Sequence, residues 1–194
     1  MKSDIEYAKM QLSLDKYFGK IPPDMHSGII EQALNLGERV ASEYRSIDLR
    51  QAFFDAGYRI EYTQNAKQIL TQGLLMRAEI IEDNLGKRVL IYQDSVEQAL
   101  SDLAKQGIQS TKTQIEHLYL AHEFFHLLEM DEHISDDVLT MKVERLKILG
   151  KTFYGRLQSP SEIASNRFAQ RVCQCEFNPL LIDELFIGDS DDSN

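Results

Sequence analysis

Thr111-Lys112-Thr113-Gln114-Ile115-Glu116-His117-Leu118-Tyr119-Leu120-Ala121-His122-Glu123-Phe124-Phe125-His126-Leu127-Leu128-Glu129-Met130 is the stretch on which the reading of this chain turns. Thr111 and Gln114 stand at the spacing of a capping box, and no Gly or Pro interrupts Ile115 to Met130. The spacing predicts one unbroken helix. Inside it, His122-Glu123-Phe124-Phe125-His126 is an H-E-x-x-H pattern. Residues four apart on an α-helix differ by about 40° in direction, so both imidazoles leave the same face. Two imidazoles so placed can share one zinc ion, and Glu123, at the edge of that face, can serve as general base toward a water on the metal. His117 lies about 140° away and reads as a surface or packing residue. Tyr119, Phe124, Phe125 and Leu128 read as the core side of a buried helix.

Outward from this helix the chain divides into three segments. Residues 1–18 suggest a helix, and after Pro22-Pro23 the apolar positions Ile30, Ala33, Leu34, Gly37, Val40, Ala41 and Tyr44 keep helical spacing. A shorter helix over Leu49–Ala56 ends at Gly57. Residues 1–56 are therefore expected to be a helical lead packed on the core rather than a free docking arm. From residue 57 the pattern changes. Tyr58, Ile60 and Tyr62 alternate with charged residues, and Leu74–Ile81 and Arg88–Tyr92 flank Asp83-Asn84-Leu85-Gly86, which suits a hairpin turn. Ser95-Val96-Glu97-Gln98 reads as a capping box for a helix ending near Gly107. Ser159-Pro160-Ser161-Glu162 reads as the start of another, with Ser159 as cap. Between the motif helix and that last one, Asp131–Gln158 is a long connection with a few apolar positions (Val143, Leu146, Ile148, Phe153) able to form short elements. The expected class is α+β, with a body over 57–187 and a frayed acidic tail over 188–194.

Composition narrows the function classes. The chain has 194 residues, 43% of them apolar and 27% charged, as in an ordinary globular protein with one core. It lacks an apolar run of membrane-spanning length, and the first twenty residues lack the apolar centre of a secretory signal. Cys173 and Cys175 lie too close to staple the fold, which suggests a reducing, cytoplasmic setting. They read as small buried apolar residues in preference to a C-x-C metal site. The net charge of −10 disfavours direct binding of nucleic acid or an anionic membrane, and nothing in Met1–Thr71 reads as a DNA-reading domain.

A catalytic zinc site needs a third protein ligand and an open fourth position. Glu129, Asp131, Glu132 and His133 are close in sequence, and Glu162 is remote. The metzincin pattern fails, because Glu129 and Glu132 occupy the positions of its turn glycine and third histidine. Glu162 can approach from a second helix, with Asn166 four residues on along the same face to support it. It can equally be the third residue of a capping box begun by Ser159. Spacing leaves both open.

Ala121-His122-Glu123-Phe124-Phe125-His126, followed after about 35 residues by Glu162-Ile163-Ala164-Ser165-Asn166-Arg167-Phe168-Ala169, resembles the ImmA/IrrE-type zinc metallopeptidases over residues 115–180. Their second motif runs Glu, three residues, Asn or Asp, one residue, then Phe-Ala. The resemblance implies a zincin-like domain with a small antiparallel sheet packed on the active-site helix. It implies Zn²⁺ held by His122, His126 and Glu162, with Glu123 as the catalytic base. Two positions depart from the family: Phe125 stands where a small residue is usual, and Val172–Cys175 replaces a Leu-Leu-Met-Pro-like stretch. The substrate it implies is a peptide bond in a protein, typically a helix-turn-helix repressor. Tyr154, Arg156 and His133 are candidates for stabilising the oxyanion. In such sites an extended peptide pairs with a strand edge beside the motif helix, and Arg88–Tyr92 or its hairpin partner is the expected edge. The reading that competes with catalysis is a scaffold in which Glu129 or His133 closes the metal's fourth position.

Overall fold

Two of the first three helices begin at a local side-chain cap. The computed structural model describes residues 2–64, 68–69 and 74–191, with backbone only for 68–69, 74–75 and 187–191. Ser3 and Glu6 form a reciprocal capping box at α1 (Asp4–Ser13). Next comes α2 (His26–Glu43). The carboxylate of Asp48 accepts from the amides of Arg50 and Gln51 to start α3 (Leu49–Asp55), which stops at Gly57, where φ is +83°.

The chain then forms β1 (Arg59–Thr63), the short pair β2 (Gln68–Ile69) and β3 (Leu74–Leu75), and the hairpin β4 (Ala78–Asp83) and β5 (Gly86–Tyr92). The expected strand over Leu74–Ile81 is thus two strands broken at Met76-Arg77. The main sheet has the order β1-β5-β4. β4 runs antiparallel to β5 through the Asp83–Gly86 turn, but β1 lies parallel to β5, from Arg59 opposite Arg88 to Thr63 opposite Tyr92. The sheet is therefore mixed, which corrects the antiparallel one expected. Alternation along a strand says which face is buried and nothing about the sense of its neighbour.

Helices α4 (Gln93–Lys105) and α5 (Lys112–Met130) follow. The box expected at Ser95 does not form. The helix starts two residues earlier, and the Ser95 hydroxyl donates instead to the Met76 carbonyl at 2.6 Å. Its end at Gly107, with φ at +75°, is as the sequence suggests. At α5 both halves of the Thr111–Gln114 box are made. Asp131–Gln158 is more ordered than its sequence suggests, forming a second hairpin of β6 (Lys142–Ile148) and β7 (Lys151–Arg156). The chain closes with α6 (Ser159–Val172) and α7 (Leu180–Asp191). α7 continues through Gly188–Asp191, where composition predicts a frayed tail, and residues 192–194 lie outside the described residues.

The protein is a mixed α+β fold with α5 at its centre. Leu118, Leu120, Ala121 and Phe125 are essentially inaccessible. Phe124 meets Tyr44 and Phe53 edge-on with ring centroids 5.6 and 5.5 Å apart, and Phe125 stacks on Phe168 of α6 at 5.7 Å. Both phenylalanines inside the H-E-x-x-H pattern are thus core residues. They lock the motif helix against its partner, leaving the histidine face turned the other way. α6 is sandwiched between α5 and α2, and α2 comes so close that a Cβ on Gly37 would run into the Ala164 carbonyl oxygen. The N-terminal helices contribute Tyr7, Leu12, Ile29 and Leu36 to the buried core. Among the described residues no helix is long and apolar enough to cross a membrane.

Candidate metal centre

α5 and α6 bring three side chains to one point. His122 Nε2 and His126 Nε2 are 3.1 Å apart, and the Glu162 carboxylate lies 3.5 Å from the first and 3.6 Å from the second. Ligand atoms about 2.0–2.1 Å from a tetrahedral zinc ion sit about 3.3–3.4 Å from one another. The three side chains stand at close to that spacing, Glu162 meeting His122 with one carboxylate oxygen and His126 with the other. Among the described residues no other group of His, Cys, Asp and Glu is arranged to hold a metal ion.

The start of α6 decides the two readings of Glu162. Ser159 is not the cap, because Gln158 holds that position and gives no side-chain bond. A carboxylate from far away does the work: Asp15 accepts from the amides of Gln158 and Ser159 at 2.8 and 2.9 Å and from the Ser159 hydroxyl at 3.0 Å. Glu162 therefore has no capping role. Its amide bonds the Gln158 carbonyl as an ordinary helical residue, and its side chain is left to face the two histidines. Burial raises its pKa, but His122 and His126 outweigh that and hold the carboxyl well below its usual range, at about 2.

On the far side of His126, Nδ1 lies 3.3 Å from the Ser161 hydroxyl and 3.8 Å from Glu129. Ser161 also donates to Glu129 at 2.5 Å, and Arg156 completes the chain by binding Glu129 and the Leu139 carbonyl. Glu129, three residues after His126 on the same helix, is thus a hydrogen-bonding partner on the outer side of His126 and lies apart from the His122–His126–Glu162 group. Burial opposes a charge on His126, yet Glu129, Glu162 and Glu123 together raise its pKa to about 9. His122 differs, since its Nδ1 is buried and meets no partner.

Glu123 completes the site. It lines a cleft of about 780 Å³ together with His122, Glu162 and Asn166. Burial, partly offset by the two histidines, pushes its carboxyl pKa up, and no hydrogen bond ties it down among the described residues. A carboxyl whose pKa is raised by burial and which no hydrogen bond engages among the described residues suits a proton acceptor. Asn166 donates to the Glu162 backbone carbonyl at 2.8 Å, not to its carboxylate, while its own Oδ1 is buried without a partner.

The other singled-out residues lie elsewhere. Arg156 is committed to Glu129, Tyr154 is exposed on β7, and His133 lines a separate hollow with Asp131, Tyr44 and Phe124. None of these three lines the cleft. Neither Glu129 nor His133 closes the fourth metal position. Of the expected strands, β5 is central and has no free edge, but β4 is outermost and its first residue, Ala78, lines the cleft. Cys173 and Cys175 are free and half-buried against the core, where burial pushes their thiols up to about 12 and about 11.

Sequence reasoning missed several cleft residues. Arg77, in the break before β4, pairs with Asp183 of α7 and lies over the Tyr119 ring at 5.7 Å. Asp15 and its neighbours form the opposite wall, so the N-terminal segment is part of the site. No sequence signal ties Asp15 to Ser159, 144 positions away. A scan of protein-family models, a search of curated proteins and a search of solved structures each find no match to this chain.

Proposed function

We propose that this protein is a zinc-dependent metallopeptidase with a zincin-like domain, a divergent relative of the ImmA/IrrE-type enzymes. The observation that carries the reading is the triangle of His122, His126 and Glu162, drawn from two helices at tetrahedral spacing with Glu123 beside it on the cleft side. A zinc ion held there would lower the pKa of a bound water to near neutrality and polarise a substrate carbonyl. The chain's own groups supply the rest. Glu123 takes the proton from the attacking water and returns it to the leaving nitrogen. Glu129, through Ser161 and the Nδ1 side of His126, keeps that imidazole turned toward its partners. The outer edge of β4, last in the described sheet, suits an extended peptide that adds by backbone pairing.

The substrate is a protein segment, and the family resemblance favours a regulatory protein of the helix-turn-helix kind. A binding scaffold without catalysis would be favoured by a filled fourth ligand position or a substituted base, and neither occurs here.

The test has two arms. Purified protein should hold one zinc per chain, lost in His122→Ala and in Glu162→Ala but retained in Glu123→Gln. Peptide-library cleavage should disappear in Glu123→Gln and on chelation, and return with zinc. Protein purified without chelators that takes up no metal, or Glu123→Gln cleaving at the wild-type rate, would overturn the proposal.

A further inference from the structure

The hairpin β6–β7 is chemically unlike the rest of the chain. Residues 142–156 carry five basic side chains and one acidic one, net +4, so the remainder of a chain at −10 carries −14. The hairpin also holds an unusual concentration of exposed apolar side chains. Leu146, Ile148 and Phe153 are each about half exposed, and Leu149, in the turn at φ +49°, is 97% exposed.

Register sorts these residues by face. Leu146 pairs with Phe153 and Ile148 with Lys151, while Lys142 pairs with Arg156 and Lys147 with Thr152. With a side-chain period of two, Val143, Leu146, Ile148 and Phe153 line one face with Lys151 at its tip, and Lys142 and Lys147 line the other beside Glu144, Tyr154 and the Glu129-bound Arg156. Among the described residues the base of the apolar face is covered, where Val143 packs against the core and Gly155 lies against the Tyr17 ring. A two-stranded ribbon with one bare apolar face is marginal in water and gains from a third strand.

We propose that the outer edge of β7 is a docking strand for an extended protein segment in which apolar and acidic residues alternate. Such a segment sends its apolar side chains onto Leu146, Ile148 and Phe153 and its carboxylates onto the lysine face, while its backbone pairs with β7. The edge is β7 because β6 carries a bulge between Glu144 and Leu146 and lies against the Phe18–Lys20 turn. A lipid surface offers anionic and apolar groups from one side, whereas this ribbon presents its two chemistries on opposite faces. A second copy of the hairpin would set net +4 against net +4. The occupant is therefore an acidic, two-faced strand. β7 leads within three residues to Gln158 and Ser159 on the cleft, so a segment paired there is held beside the site. The docking surface does not depend on metal chemistry.

The probe is a fluorescein-labelled decapeptide alternating Glu with Val or Ile, titrated against the full chain by anisotropy. Controls are a peptide of the same composition with its glutamates in one block, and vesicles of phosphatidylcholine and phosphatidylserine. The alternating peptide should bind at least about tenfold tighter than the block peptide, and binding should weaken with salt. It should fall about tenfold in Leu146→Ser/Phe153→Ser and in Lys142→Glu/Lys147→Glu, with thermal melts unchanged because these side chains are exposed. Thr152→Pro, which disrupts the β7 edge, should abolish it. Amide exchange should slow along Lys151–Arg156 on binding, equally in Glu123→Gln. The proposal is overturned by no binding of the alternating peptide, by equal binding of the block peptide, by vesicle binding that the hairpin variants abolish, or by indifference to Thr152→Pro.

Discussion

α5 and α6 together carry the three side chains of the candidate metal centre, yet their first turns are made in opposite ways. α5 is capped by Thr111 and Gln114, residues of its own first turn, with the two bonds at 3.2 and 2.8 Å. α6 has no side-chain cap of its own and takes one from Asp15, whose carboxylate accepts three bonds at its start. One helix is specified within four residues. The other waits for the N-terminal segment to arrive. His122, Glu123 and His126 thus sit on a self-sufficient element, while Glu162 sits on an element whose first turn is a tertiary product.

The comparison can be broken first at the ligands, where effects are largest. If both helices hold the metal, His126→Ala and Glu162→Ala should each weaken zinc binding more than about 100-fold, beyond the usual effect of losing an outer partner, as read by competition with a chelating dye. A Glu162→Ala protein that binds zinc like wild type would remove α6 from the site. Next comes Glu129→Ala, which leaves every ligand in place and should weaken zinc binding about 10- to 100-fold. Ser161→Ala should act in the same direction and less.

The caps come after the ligands. Asp15→Ala leaves the first amides of α6 without their acceptor and should cost about 2 kcal/mol in urea unfolding, with a measurable loss of zinc affinity as the turn holding Glu162 loosens. Thr111→Ala should cost about 1 kcal/mol and leave zinc affinity unchanged, since His122 lies three turns further on. Equal effects of the two on zinc binding would erase the distinction drawn between the helices.

The smallest effect is in pH. Burial raises the Asp15 pKa, but the amides of Ser159, Tyr17 and Gln158 and the Ser159 hydroxyl outweigh it and leave the carboxyl below its ordinary value of 3.8. A carboxyl depressed in the folded state stabilises it above the unfolded pKa, and that contribution is lost as pH falls through the folded value. The stability gap between wild type and Asp15→Asn should therefore be constant from neutrality to about pH 5 and narrow below about pH 4. A gap that narrows on raising the pH would assign the stabilisation to another group.

Much of the candidate site was legible because it lies on one helix. Thr111, His122, Glu123 and His126 are related by helical geometry alone, and the buried Phe124 and Phe125 fix which way that helix faces. Turns were legible for the same reason, as at Asp83–Gly86 and Gly107. Glu129 was visible as a neighbour of His126, but its part as an outer partner required Ser161 and Arg156 from other elements. Ser95 and Ser159 both resembled caps, and in both cases a partner from elsewhere, Met76 or Asp15, took the hydroxyl.

The motif helix, the shared face of its two histidines and the position of Glu123 between them follow from the sequence alone, because those relations span four residues and need only a helix. Tertiary structure alone decided that Glu162 is free to join them, that β1 runs parallel to β5, and that residues 142–156 form a two-faced hairpin. Each of those depends on which distant surface arrives first at an unsatisfied donor, an open strand edge or a bare apolar face. No local spacing encodes that arrival.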